Sequence, residues 1–155
     1  MCGIAGVIYK DKKTYPVGEA LTSMLESLQH RGPDSAGYAI YGSLDFPENY
    51  YQLNIEVKRK RGTLDNLKSL LTQITPIFEE QLIESVGDSD VYKCKIALDE
   101  YSLLQPCIRE IDDLENVRVI NGSQSFEMIK DVGKVKDIAE RFDVQSRMGT
   151  HGIGH

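Results

Sequence analysis

The sequence predicts an α+β protein: a strand–helix–loop–strand opening, then a second block in which strands and helices alternate. Residues 17–28 set Val17, Ala20, Leu21, Met24, Leu25 and Leu28 at helical spacing between two short apolar runs, 2–10 and 36–42. Residues 51–57 alternate Tyr51, Leu53, Ile55 and Val57 with polar residues, the period of a half-buried strand. With 155 residues, 41% hydrophobic and 27% charged, the chain has the make-up of a globular protein of about one domain.

In order, residues 2–10 read as a first strand. Pro16 suits the first turn of the following helix, because its missing N–H would be unpaired there anyway. Gly32-Pro33 ends that helix, and 36–42 form the second strand. After the strand at 51–57, Leu64, Leu67, Leu70, Leu71 and Ile74 make a helical stripe. Thr75-Pro76 either kinks this helix or caps a new one continued by Ile77, Phe78, Leu82 and Ile83. Residues 91–98 are a strand by alternation, and 106–114 a helix. Val117–Ile120 is a strand turning at Asn121-Gly122, with a partner around Phe126–Ile129. Strand–helix–strand–helix–strand over 51–121 is the order of a small α+β sandwich. It predicts a lobe inserted at about 50–122 within a domain that occupies 1–155. Ile138, Ala139 and Phe142 mark one more short helix, and Gly152 and Gly154 a glycine-rich strand. There are no internal repeats and no low-complexity linker.

Bulk properties exclude several function classes. A net charge of −6 argues against general affinity for nucleic acid or anionic membrane. No apolar run approaches the roughly 20 residues of a spanning helix, and the apolar opening lacks the basic lead of a signal peptide. The expected location is the cytoplasm. Cys2, Cys94 and Cys107 are too few and scattered for a disulfide framework or a zinc site. Cys94, alternating with Tyr92, Ile96 and Leu98, reads as a buried strand cysteine. His151 and His155 stand four apart, but the intervening Gly152 and Gly154 each cost a helix about 1 kcal/mol, so no metal site is expected. The run Lys58-Arg59-Lys60-Arg61 reads as a solvated turn ahead of Gly62.

Three stretches carry chemistry. Cys2 follows the initiator methionine, so removal of Met1 leaves one residue holding both a thiol and a free α-amine. Their ordinary pKa values, about 8.5 and about 8, let the amine take the thiol proton near neutrality. The plain alternative is a frayed terminus. Next, Leu28-Gln29-His30-Arg31-Gly32-Pro33-Asp34-Ser35-Ala36-Gly37 gathers a cation, a carboxylate and a hydroxyl on a sharp turn, fit for a small zwitterion or merely solvated. Last comes Gly149-Thr150-His151-Gly152-Ile153-Gly154-His155.

Together, Cys2-Gly3-Ile4-x-Gly6, His30 to Gly37, and Gly152 to His155 resemble the class II glutamine amidotransferases, N-terminal-nucleophile hydrolases that release ammonia from glutamine. The match covers about the first forty positions and the last few. The length of the intervening lobe and the run His-Arg-Gly-Pro-Asp-Ser-Ala-Gly look most like the amidotransferase component of glutamate-synthase-like proteins. Asparagine synthetases use a similar run, and an amidophosphoribosyltransferase domain is a further alternative. The resemblance implies an αββα sandwich, here partial, with the lobe inserted. It implies that Cys2 attacks the side-chain amide carbon of glutamine, with its own amine as general base. Arg31 would line the glutamine pocket, and Gly154 and His155 would lie on the strand leading to the substrate-carboxylate arginine. Partners would be glutamine and a synthase domain or subunit accepting ammonia, with no cofactor held in this chain.

The sequence also departs from the family pattern. The arginine two residues beyond the matched histidine, the Asn-Gly pair of the oxyanion hole and the acidic residue holding the substrate's amino group are not among these residues. Loss of one oxyanion donor alone costs about 10²–10³ in turnover. The expectation is an N-terminal fragment of an amidotransferase domain with little or no activity by itself. A non-catalytic remnant or partner-docking module, and a cysteine hydrolase using His30 as base, are the competing readings.

Overall fold

The computed structural model describes residues 3–11, 13–42, 47 and 49–155. It is α+β, with four α-helices and two antiparallel sheets among the described residues. By contacts the chain separates into two compact units. One joins Met1–Asp45 to Ser125–His155; the other is the continuous stretch Phe46–Gln124.

In the first unit, β1 (Ala5–Ile8), β2 (Ser35–Tyr41), β7 (Phe126–Val132) and β8 (His151–Gly154) form a sheet in the order β1-β8-β2-β7. Helix α1 (Val17–Leu28) lays Val17, Leu21 and Leu25 on one face of it, all fully buried or nearly so. The glycines of β8 explain how closely it lies. A Cβ at Gly152 would come within 2.7 Å of Val17 and 2.9 Å of Leu21, and one at Gly154 within 2.7 Å of Leu25. The glycine-rich strand expected from sequence is therefore present, and its glycines admit a helix. Helix α4 (Val135–Arg141) buries Val135, Ile138 and Ala139 in the same unit. Two ion pairs hold this region to β7. Arg141 Nη1 meets Asp131 Oδ2 at 2.6 Å, and Arg147 Nε lies 3.4 Å from Glu127 Oε2, with both carboxylates almost wholly enclosed. Removing either arginine would take a cation from an enclosed carboxylate, which is destabilising. The opposite face of the sheet is apolar and open: Ile4 is 70% exposed, Ile8 75% and Ile153 49%.

The second unit runs β3 (Tyr50–Lys58), α2 (Thr63–Ile74), β4 (Ile77–Glu84), β5 (Ser89–Ala97), α3 (Leu104–Asp112), β6 (Val117–Ser123). Its strand order β4-β5-β3-β6, antiparallel throughout, is the split βαβ arrangement of ferredoxin-like folds. Leu53, Ile55, Tyr92, Cys94 and Ile96 pack from the sheet against Leu67, Leu71, Cys107 and Ile111.

Two expectations are corrected here. Residues 77–83 are a strand, not a helix. Thr75 ahead of Pro76 is extended (φ −159°, ψ 153°), as proline's clash with the preceding residue favours. Its hydroxyl bonds the carbonyl of Ala97, which starts β4 alongside β5. Nor does the chain turn at Asn121-Gly122. Strand β6 continues through both residues, Asn121 opposite Asn54 and Gly122 opposite Leu53, with a bulge between Asn54 and Ile55. Phe126–Ile129 is indeed in a strand, but β7 pairs with β2 in the first unit. The basic run at 58–61 is exposed, as expected, and Arg59 within it also makes specific bonds. Arg59 donates to Asp90 Oδ1 (2.5 and 2.9 Å) and to the carbonyls of Ser85 and Gly87, tying down the β4–β5 turn.

Cys94 lies in the core, as its alternation indicates, and so does Cys107. Burial pushes the Cys94 thiol up to about 12 and the Cys107 thiol up to about 11. A thiol near 12 is on the order of 10⁻⁴ thiolate at pH 8, and the thiolate is the nucleophile. Native protein treated with iodoacetamide at pH 8 should therefore leave both unmodified, whereas denatured protein should take up label at both. Peptide mapping distinguishes the two states.

Candidate functional site

The three chemistry-bearing stretches meet at one end of the first unit. Gly3, at the start of the chain described, packs against the end of α1: a Cβ there would lie 3.0 Å from the Cβ of Leu28. A 3₁₀ turn, Gln29–Arg31, extends α1 into the Gly32–Asp34 loop, with Gly32 N–H bonded to the Gln29 carbonyl (3.2 Å). The loop feeds directly into β2. At the far end of that motif, Gly37 exchanges backbone bonds with His155, N–H to O at 3.0 Å in each direction. The absent side chain of Gly37 makes room for the imidazole, since a Cβ would stand 3.0 Å from His155 Nε2.

Gly3, Gly32, Ser35 and His155, with Leu25, Leu28, Gln29 and Val135, consequently line a single small cavity of about 10 Å³. That is near the room one water requires and far short of a glutamine. A larger, open groove of about 390 Å³ adjoins it on the apolar sheet face, lined by Ile4, Gly37, Ala39, Met128, Ile153 and His155 among others.

Of the residues singled out from sequence, Cys2 lies outside the described residues. Arg31 is exposed on the 3₁₀ turn. Gly154 is buried under Leu25, and His155 is exposed at the end of β8 beside Gly37. The arrangement thus brings His155 and Gly32, of the loop next to Arg31, alongside Gly3. His30 is on the same turn and exposed. Among the described residues no group of three His, Cys, Asp or Glu comes together as a metal site, and no helix is long and apolar enough to cross a membrane.

Gln29 is the residue that motif reading passes over. Its side-chain Nε2 donates to the Gly32 carbonyl at 3.0 Å, and its Oε1 accepts the N–H of Val135 at 2.7 Å. Nothing in the sequence near Gln29 signals a partner 106 positions away.

No protein-family model matches the chain. Along its whole length it is 56% identical to a Methanothermobacter thermautotrophicus protein provisionally named a glutamine amidotransferase, of which it covers 51%. It is 34% identical, again along its whole length, to the glutamine amidotransferase-like protein GlxB of Rhizobium meliloti, covering 49% of that protein. A shorter match of 40 residues, 50% identical, is to the isomerizing glutamine–fructose-6-phosphate aminotransferase of Pyrobaculum aerophilum, taking in 26% of this chain and 7% of that enzyme. The chain spans about half the length of the first two relatives.

Proposed function

We propose that this chain is the nucleophile-bearing part of a class II glutamine amidotransferase, with Cys2 attacking glutamine and ammonia passing to a synthase partner of the glutamate-synthase type. The observation that carries the reading is the convergence of three separated motifs, through Gly3, Gly32 and His155, on one small cavity. Two relatives along the whole chain bear glutamine amidotransferase names, which supports the same chemistry.

In this reading, removal of Met1 frees the α-amine of Cys2, which takes the thiol proton, directly or through one water. The sulfur adds to the side-chain carbonyl carbon of glutamine, and the tetrahedral adduct collapses as the amide nitrogen leaves as ammonia, protonated by the same amine. Water, activated by that amine, then cleaves the γ-glutamyl thioester to glutamate and the free thiol. Arg31, exposed on its turn, would bind the substrate from one side. The apolar open face of the β1-β8-β2-β7 sheet supports the αββα part of the reading, because a face carrying Ile4, Ile8 and Ile153 is suited to a second layer.

No arginine stands two residues beyond His155 within these residues, and the Asn-Gly pair present, Asn121-Gly122, lies within β6. Ammonia release from glutamine tests the reading. Protein expressed from its complete reading frame should turn over glutamine, and residues 1–155 expressed alone should do so at least about 10²-fold more slowly. No turnover by the complete protein would contradict the proposal.

A further inference from the structure

We infer that Gln29 is a positioning residue for the glutamine-binding loop, fixing the turn that carries Arg31 to the start of α4. The inference rests on the function proposed above and adds a residue to its machinery. The first N–H groups of a helix have no partner within it, and α4 lacks the usual remedy: its N-cap residue, Lys134, makes no side-chain capping bond. Gln29 supplies the acceptor instead, Oε1 to Val135 N–H at 2.7 Å, while its Nε2 holds the Gly32 carbonyl at 3.0 Å. Both ends of one amide are thus used, one on the helix and one on the loop. A second tie lies alongside, from Gly133 N–H to the Asp34 carbonyl at 2.9 Å.

Helix α4 is a firm anchor for such a tether. Its Arg141 is paired to the enclosed Asp131 of β7, and Ile138 is fully buried. The loop from Gln29 to Asp34 is otherwise at the surface, with Arg31, Pro33 and Asp34 exposed. A loop so exposed needs an external hold if its arginine is to meet substrate in one place, and a small misplacement in a binding group is costly. Gln29 does not reach the substrate in this account. It acts through Gly32 and Arg31.

The test compares wild type, Gln29→Ala and Gln29→Glu, each made from the complete reading frame. Three quantities are read: the glutamine concentration that half-protects Cys2 from a glutamine-mimicking diazo-ketone, the rate of Cys2 alkylation by iodoacetamide, and hydrogen exchange at the Val135 amide. Gln29→Ala should raise the half-protecting concentration about tenfold, leave iodoacetamide alkylation within about twofold, and speed exchange at Val135. Gln29→Glu keeps the acceptor for Val135 but loses the donor to Gly32, so it should keep Val135 protected while glutamine protection still weakens. This second variant tests the loop contact even where Gln29→Ala fails to fold. Unchanged glutamine protection in Gln29→Glu would overturn the inference and leave Gln29 as a helix cap only. Wild-type protein that glutamine does not protect would overturn the amidotransferase reading itself, and the inference with it.

Discussion

Cys2→Ala should reduce glutamine hydrolysis by the complete protein by about 10⁴-fold or more, since removing a covalent nucleophile takes away the pathway and not one contact of many. The same loss is expected when Cys2 is intact but Met1, or a tag, remains ahead of it. In that state the nitrogen is an amide, which cannot accept the thiol proton. The pairing of the two variants is diagnostic. A cysteine hydrolase using His30 as base would lose activity on Cys2→Ala yet keep it with Met1 attached. Steady-state ammonia release, with Met1 status read by mass, separates the cases.

Gly152→Val should lower stability strongly. A Cβ at Gly152 would already stand 2.7 Å from Val17, 2.9 Å from Leu21 and 3.0 Å from the Ala39 carbonyl. Two of those neighbours are fully buried side chains of α1, and the third is sheet backbone. The helix must lift away from the sheet to admit the new side chain, at a cost of about 3 kcal/mol. For a protein of this size that corresponds to a fall in Tm of about 6–12 °C. Ile153→Val, one residue on and pointing from the open face, should move Tm by less than about 2 °C. If the two variants melted alike, the close approach of α1 to β8 would be wrong.

Much of the first unit is legible from sequence because its signals are local. The apolar stripe from Val17 to Leu28 has a single periodicity and a firm stop at Gly32-Pro33, and α1 with its 3₁₀ extension occupies that span. The second unit was harder wherever a local signal had two meanings. Ile77-Phe78 and Leu82-Ile83 fit either a helix or a strand by spacing, and the deciding feature was the extended Thr75 before Pro76. Asn121-Gly122 is a strong turn dipeptide, yet Gly122 serves packing. A Cβ there would come within 2.7 Å of Leu53 and 3.0 Å of Ile108. The bend comes later, at Gln124 and Ser125, between the end of β6 and the start of β7.

The site divides the same way. Motif order and residue types at 2–6, 30–37 and 152–155 could be read directly, because chemistry restricts which side chains serve. The Gly37–His155 contact and the Gln29–Val135 bond join residues more than a hundred positions apart. Only the register of β2 against β8 and the seating of α4 decide them.

The measurement that bears most directly on the central claim is the intact mass of purified complete protein before and after exposure to a glutamine-mimicking diazo-ketone, with and without excess glutamine. The expected result is loss of Met1 and a single adduct on Cys2 that glutamine suppresses, with Cys94 and Cys107 unlabelled in the native state. Retention of Met1, or an adduct indifferent to glutamine, would contradict it.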